Sequence, residues 1–194
     1  SLNSQSEIEI GILGADLPQY RNDVLNGLKE TKRFSGITSI DTSRVTPTLK
    51  ELDVFDSVII WSNYKFADEN KLGDVVAAYA DTGKGVVTCL FENLNNWSGS
   101  KKYQLGGKWL SQKYGIYEGS SKILRNPIKM GRALIPNHPL LKNIKSFSAQ
   151  KQSCRMPAKT FSGAKEVLKW SDNLSLITIK ESPRNIVGLN MYPT

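Results

Sequence analysis

Few side chains in this 194-residue sequence can do covalent or acid–base chemistry, and most of them follow short apolar runs. Asp16 comes just after Glu7-Ile8-Glu9-Ile10-Gly11-Ile12-Leu13-Gly14. Asn63 and Tyr64 follow Asp56-Ser57-Val58-Ile59-Ile60-Trp61, and Glu92 and Asn93 follow Gly85-Val86-Val87-Thr88-Cys89-Leu90-Phe91. If these runs are neighbouring parallel strands, all five residues gather in a crevice outside the strands' carboxyl ends, where open α/β sheets bind ligands. Asp16 and Glu92 converging there would suit proton transfer or a hard cation; kept apart, they would cap the loops and helices that follow. Cys89 is a nucleophile only if a base holds it as thiolate, and a cysteine in an apolar strand is ordinarily a small buried hydrophobe. Cys154, between Ser153 and Arg155, is either a somewhat activated thiol or an inert one. His138, the sole histidine, lies between Pro136 and Pro139 as a loop residue bonded locally or a base reaching the crevice. Two cysteines and one histidine assemble neither a disulfide framework nor a zinc site of ordinary composition, so no metal centre is expected. Gly11-Ile12-Leu13-Gly14 lacks the spacing of a phosphate-cradling loop, and no cofactor is expected.

The elements that must position these residues alternate. The β-branched run 7–14 predicts a strand, and Val24, Leu25, Leu28 and Phe34 at helical spacing predict a helix over roughly 20–34. A short strand at 37–40 and a brief helix opened by Pro47 follow, the proline sitting where its missing N–H costs nothing. The nearly all-apolar runs 56–61 and 85–91 have the pattern of parallel strands buried on both faces. Between them, Leu72, Val75, Val76 and Tyr79 predict a helix over 68–81, with Gly83 just past its end. Strands alternating with helices make βαβ units, hence a doubly wound α/β fold of flavodoxin-like type. Residues 93–122 then read as a long insertion, helical in spacing only around 106–114. Trp97, Tyr103, Trp109, Tyr114 and Tyr117 are threaded there among Lys101, Lys102, Lys108, Lys113 and Lys122. Lys101, Lys102, Lys108, Trp109 and Lys113 could form a surface where rings stack on bases or sugars and lysines meet anions; otherwise the aromatics pack the segment onto the sheet. Short alternating segments at 147–154, 164–170, 174–180 and 185–191 predict antiparallel strands added at a sheet edge toward the C-terminus.

The order of elements, with Gly83-Lys84-Gly85-Val86-Val87 entering the central strand, resembles the class I glutamine amidotransferase-like superfamily. The resemblance is greatest to its trehalose-utilisation-type branch. Asn137-His138-Pro139-Leu140-Leu141, Trp170-Ser171-Asp172-Asn173 and Ile186-Val187-Gly188-Leu189-Asn190 are similar to late segments of that branch. Active amidotransferases carry a cysteine on the sharp turn after this strand, with glycines two residues before and after. The resemblance puts Leu90 at that position and Cys89 one residue early, pointing to the other side, with no glycine in Leu90-Phe91-Glu92-Asn93. The family's late Gly-x-x-x-His-Pro-Glu pattern corresponds to Gly188-Leu189-Asn190-Met191-Tyr192-Pro193-Thr194, so Tyr192 replaces the histidine and Thr194 the glutamate. What the resemblance implies is therefore the fold without the catalytic pair.

Charge divides the chain. Residues 1–100 hold 9 basic against 14 acidic side chains, and residues 101–194 hold 17 against 4. Such asymmetry points to an anionic partner, unless the lysines form a solvated face. No apolar run is long enough for a membrane-spanning helix, and the start shows no basic segment followed by an apolar stretch. Both ends read as the edges of one domain, 1–194, within a longer protein. Two cysteines with no disulfide framework suit the cytoplasm. The expectation is a non-catalytic binding or scaffolding module whose partners are other proteins or other domains of the full-length chain. The alternatives are a hydrolase or lyase on a small sugar-derived substrate using Asp16 and Glu92, and an anion-binding module using the basic half.

Overall fold

The computed structural model of the protein describes residues 7–150 and 153–194. In chain order the elements begin β1 (Glu9–Ala15), α1 (Pro18–Glu30), β2 (Gly36–Asp41), α2 (Leu49–Leu52), β3 (Ser57–Ser62), α3 (Glu69–Asp81) and β4 (Gly85–Thr88). There follow β5 (Leu124–Arg125), β6 (Ile128–Ala133), β7 (Ser148–Ala149), β8 (Cys154–Arg155), β9 (Lys165–Trp170), β10 (Ser175–Lys180) and β11 (Ile186–Leu189). Nine strands form one sheet in the order β2-β1-β3-β4-β11-β10-β9-β6-β7, while β5 and β8 pair separately. The five strands from β2 to β11 are parallel, and β10, β9, β6 and β7 continue the sheet antiparallel.

Local chemistry explains the helices. Pro18 opens α1 where no N–H is needed, and Val24, Leu25 and Leu28 pack it against Ile12, Trp61, Val87 and Cys89 on one sheet face. Thr48 and Glu51 form a reciprocal capping box on the single turn of α2. Asp68 caps α3 by accepting from Lys71 N at 2.9 Å. Leu72, Val76, Ala77, Tyr79 and Ala80 of α3 bury the opposite face with Leu13, Ile60 and Val86. Helices therefore cover both faces, as a doubly wound sheet requires. Among the described residues no helix is long and apolar enough to cross a membrane.

Segment 105–117 completes the α3 side of the core with Leu105, Trp109, Tyr114, Ile116 and Tyr117. It approaches α3 backbone to backbone. A Cβ on Gly73 would lie 1.8 Å from the Gly106 carbonyl oxygen, and Gly107, at φ +54°, would put one 2.3 Å from that of Asn70. Gly106 N bonds Glu69 O at 2.9 Å, Gly107 N bonds Asn70 Oδ1 at 3.1 Å and Lys108 N bonds Asp74 Oδ1 at 2.8 Å.

Three sequence expectations need correction, and one strand was missed. The strand expected over 85–91 ends at Thr88, because Cys89–Glu92 turns out of the ladder, Glu92 N returning to Cys89 O at 3.2 Å. The segment 185–191 is not antiparallel on both sides: β11 is added beside β4 and parallel to it, and antiparallel only to β10. The strand expected over 147–154 is two short pieces, β7 and β8, in different sheets; residues 151–152 fall outside the described residues. Strand β6 was not foreseen. Its Ile-Lys-Met-Gly-Arg-Ala sequence has a glycine whose Cβ would meet Trp170 O at 2.3 Å, and its pairing with β9 is irregular there.

Candidate functional site

Asp16 immediately follows β1 and is 3% exposed. Its Oδ2 accepts from Trp61 Nε1 at 2.8 Å and from the Tyr192 hydroxyl; its Oδ1 accepts from Leu17 N at 2.8 Å and Asn63 Nδ2 at 3.3 Å. Two carboxylate oxygens have about four lone-pair sites, and four donors fill them. Asp16 thus ties β1, β3 and the C-terminal segment together. The cavity beside it, about 390 Å³, is lined by Asp16, Arg21, Asp41, Ser43, Arg44 and Tyr64 among others, with Arg21 paired to Asp41 at 3.3 Å.

Glu92 lies two strands away and faces a different space. Its backbone carbonyl accepts from Leu105 N at 2.7 Å, so segment 105–110 closes over it. The carboxyl faces the Thr88 hydroxyl and the indole edge of Trp109, and burial pushes its pKa up to about 8, making it a neutral acid at pH 7. The Trp109 N–H closes no hydrogen bond of normal geometry. Neither polar atom of the Asn93 amide has a partner, although Asn93 is only 3% exposed. These three side chains line a cavity of about 360 Å³ with Asn95, Lys101 and Gln104. Asp16 and Glu92 therefore share neither a cavity nor a hydrogen-bond partner, and of the two alternatives the structure holds them apart. Asn63 and Tyr64 go with Asp16, Asn93 with Glu92: the single crevice read from the sequence is two spaces. Among the described residues, no three His, Cys, Asp or Glu side chains gather where they could hold a metal ion.

Both thiols are buried. Cys89 is 2% exposed among Ile12, Val24 and Trp61, and burial, reinforced by Glu92, pushes its pKa far up. Leu90 points the other way, 1% exposed in a cluster with Phe91, Leu94, Cys154 and Met156. Tyr192 stacks on Phe91 (ring centroids 5.7 Å, 25° between planes), and burial together with Asp16 raises its pKa. Cys154 is 4% exposed with its pKa raised by burial. His138 is no candidate base for the crevice. Its Nε2 lies 2.7 Å from Glu181 Oε1, and it shares a cavity with Ser57 and Gly85, where the parallel strands begin rather than end.

The aromatic–lysine surface is corrected too. Trp109 is 2% exposed and stacks on Tyr114 at 6.0 Å, whose hydroxyl donates to Asp81 at 2.8 Å. The Tyr117 hydroxyl is satisfied by Ser175, Thr178 and the Gly188 carbonyl. These rings are core, and only the lysines stay outside: Lys101 at the cavity rim, Lys102 and Lys108 exposed, and Lys113 against the Tyr114 ring at 5.3 Å. Trp61, Asn95 and Gln104 were not singled out. Trp61 reaches Asp16 from 45 positions away, and no local pattern marks Asn95 or Gln104 as lining a cavity.

No family model matches the chain, and no curated protein matches it in sequence. Solved structures do match its fold. A ThuA-like protein from Bacteroides uniformis superposes with a TM-score of 0.65 at 14% identity, covering 95% of this chain and 81% of that one. A cytoplasmic protein from Salmonella typhimurium gives 0.64 at 11%, covering 94% and 87%. A glutamine amidotransferase from Thermotoga maritima gives 0.59 at 9%, covering 96% and 76%. The chain has the class I glutamine amidotransferase-like fold, shared with ThuA-like proteins.

Proposed function

We propose that the protein is a non-catalytic, amidotransferase-like module that binds or scaffolds, working in the cytoplasm. The observation that carries this reading is the filling of both reactive positions. By the sequence resemblance Leu90 corresponds to the nucleophile and Tyr192 to the base; Leu90 is buried, and Tyr192 donates to an Asp16 that also accepts from Trp61, Leu17 and Asn63. A thiol reaction needs a thiolate and a base within hydrogen-bonding reach. Cys89 has neither, and its burial favours the neutral thiol. The test is glutamine hydrolysis by the purified protein. No turnover is expected, in the wild type or in Cys89→Ser; turnover lost in Cys89→Ser would overturn the reading.

A second reading, an anion-binding surface, draws on the 17 basic against 4 acidic residues in 101–194. Binding to single-stranded nucleic acid or heparin would then fall ~10³-fold or more between roughly 50 and 200 mM salt, as released counterions dictate. Salt-independent binding, or none, removes it. A carboxylate-based hydrolase or lyase has less support, since Asp16 and Glu92 open on separate cavities.

A further inference from the structure

We propose that the sheet flank roofed by residues 134–147 docks on an anionic lipid bilayer, with an acyl chain entering the apolar cavity beneath that segment. The proposal rests on the anion-binding reading and names its surface and partner. Residues 119–165 hold ten Lys and Arg and neither Asp nor Glu. Lys129, Lys142 and Lys145 are exposed there, and none of the three has an ion-pair partner among the described residues. Apolar exposure falls on the same segment. Leu140, Ile144 and Phe147 are 39%, 40% and 36% exposed, and all three line one cavity of about 310 Å³. Its floor includes Val87, Val187, Ile177 and Leu168, from the neighbouring strands β4, β11, β10 and β9. Met130 N donates to the Phe147 carbonyl at 2.7 Å and Lys129 stands opposite Ser148, which holds one cation beside the rim.

Composition selects the occupant. Every residue lining the cavity is apolar, so a peptide threaded into it would bury backbone N–H and C=O groups without partners. A helix, about 10 Å across, is too wide to enter. An acyl chain is thin and has no polar group to strand, and apolar cavities take apolar molecules in preference to water. A second copy of the chain, meeting this face across a two-fold axis, would set the unpaired lysines against themselves. A nucleic acid would meet the cations but leave Leu140, Ile144 and Phe147 in water. An anionic bilayer answers both halves. Its surface charge attracts the lysines, whose stems lie over apolar surface, while exposed aliphatic and aromatic side chains enter the acyl boundary. Through Phe147 and Met191 the cavity adjoins a second of about 330 Å³. There Ser148, Gln150 and Ser153 supply hydroxyl and amide groups suited to a lipid's glycerol and ester oxygens.

Flotation with vesicles of phosphatidylcholine, alone or with one third phosphatidylglycerol, tests the site, with single-stranded DNA as the contrast. The protein should float with the anionic vesicles and not with the neutral ones, and less at high salt than at low. Lys142→Gln and Lys145→Gln should each weaken binding about fivefold, and the double variant about 25-fold, as expected for cations beside an anionic membrane. Ile144→Ser should weaken it roughly tenfold or more without lowering Tm, because Ile144 belongs to none of the core clusters. Phe147→Trp puts a reporter at the rim. Its emission should shift to the blue on anionic vesicles and be quenched by lipids brominated along the acyl chain. Equal binding to neutral vesicles, unchanged affinity in Ile144→Ser or in the double lysine variant, or an emission from Phe147→Trp that vesicles do not alter would each overturn the proposal. So would a dimer in solution that Ile144→Ser dissociates, the mark of a second copy on this face. Binding to DNA but not to vesicles overturns this proposal and leaves the anion-binding reading standing; binding to neither removes both.

Discussion

Replacing Glu92 with glutamine should flatten the pH dependence of stability over one window. In the folded protein burial holds the carboxyl protonated to about pH 8, against 4.5 for the free side chain. Between these values the unfolded chain has lost the proton and the native one has kept it, so the native state binds more protons and stability falls as pH rises. The slope for one such group is about 1.4 kcal/mol per pH unit. Over the whole window it comes to about 5 kcal/mol, which water reaching the ionised carboxyl reduces; that is comparable with the total stability of a marginal domain. Glutamine keeps the carboxyl's shape and its paired donor and acceptor but does not titrate. Wild type and Glu92→Gln should have similar stability near pH 5, with the variant increasingly favoured up to about pH 8 and the difference constant above it. Urea unfolding at unit steps from roughly pH 5 to 9, fitted by linear extrapolation, reads this directly. Few other shifted groups intrude. Glu51 and Asp81 are held below the usual carboxylate range, while Cys89, Tyr79, Tyr117 and Tyr192 are pushed well above theirs. Parallel stability profiles for the two proteins would refute the assignment of a buried neutral acid at Glu92.

Three further outcomes follow from particular contacts. Neither Cys89 nor Cys154 should react with a disulfide reagent at pH 8 in the native protein, and two thiols should appear on denaturation, because both are buried with raised pKa. Fast labelling of Cys89 in the native state would contradict its placement. Tyr192→Phe should cost about 1.5–3 kcal/mol, the usual worth of a hydrogen bond to a charged group, since it removes one of four donors on Asp16. A change within ±0.5 kcal/mol on denaturant unfolding would mean that the bond is not formed. Gly73→Ala should destabilise by at least about 1–3 kcal/mol, although alanine favours helix, because its methyl group would collide with the Gly106 carbonyl. A rise in Tm would show that α3 and segment 105–110 are not in backbone contact.

Much of the parallel half of this fold was legible in the sequence. The runs at 9–15, 57–62 and 85–88 and the helix at 69–81 announce themselves by period and punctuation, which are properties of a dozen adjacent residues. Leu90 and Tyr192 at the positions the resemblance gives to nucleophile and base were equally local, identities read from the chain without coordinates. Partnership was not. Nothing within 185–191 says that it slots beside β4, about a hundred residues earlier, instead of closing an edge. An alternating strand looks the same in either place until its neighbours are known. The sites differ in the same way. Asp16 and Glu92 could each be assigned to a strand end, but whether they face one another depends on what grows over them. Trp61 and Tyr192, 45 and 176 positions from Asp16, occupy its oxygens. Trp109, carried in by the close packing of Gly73, Gly106 and Gly107, closes over Glu92 and leaves Asn93 buried and unpaired. Residue types were set by sequence, but burial and hydrogen bonding, which turn a carboxylate into an anchor or a neutral acid, are sums over distant neighbours that only the tertiary structure brings together.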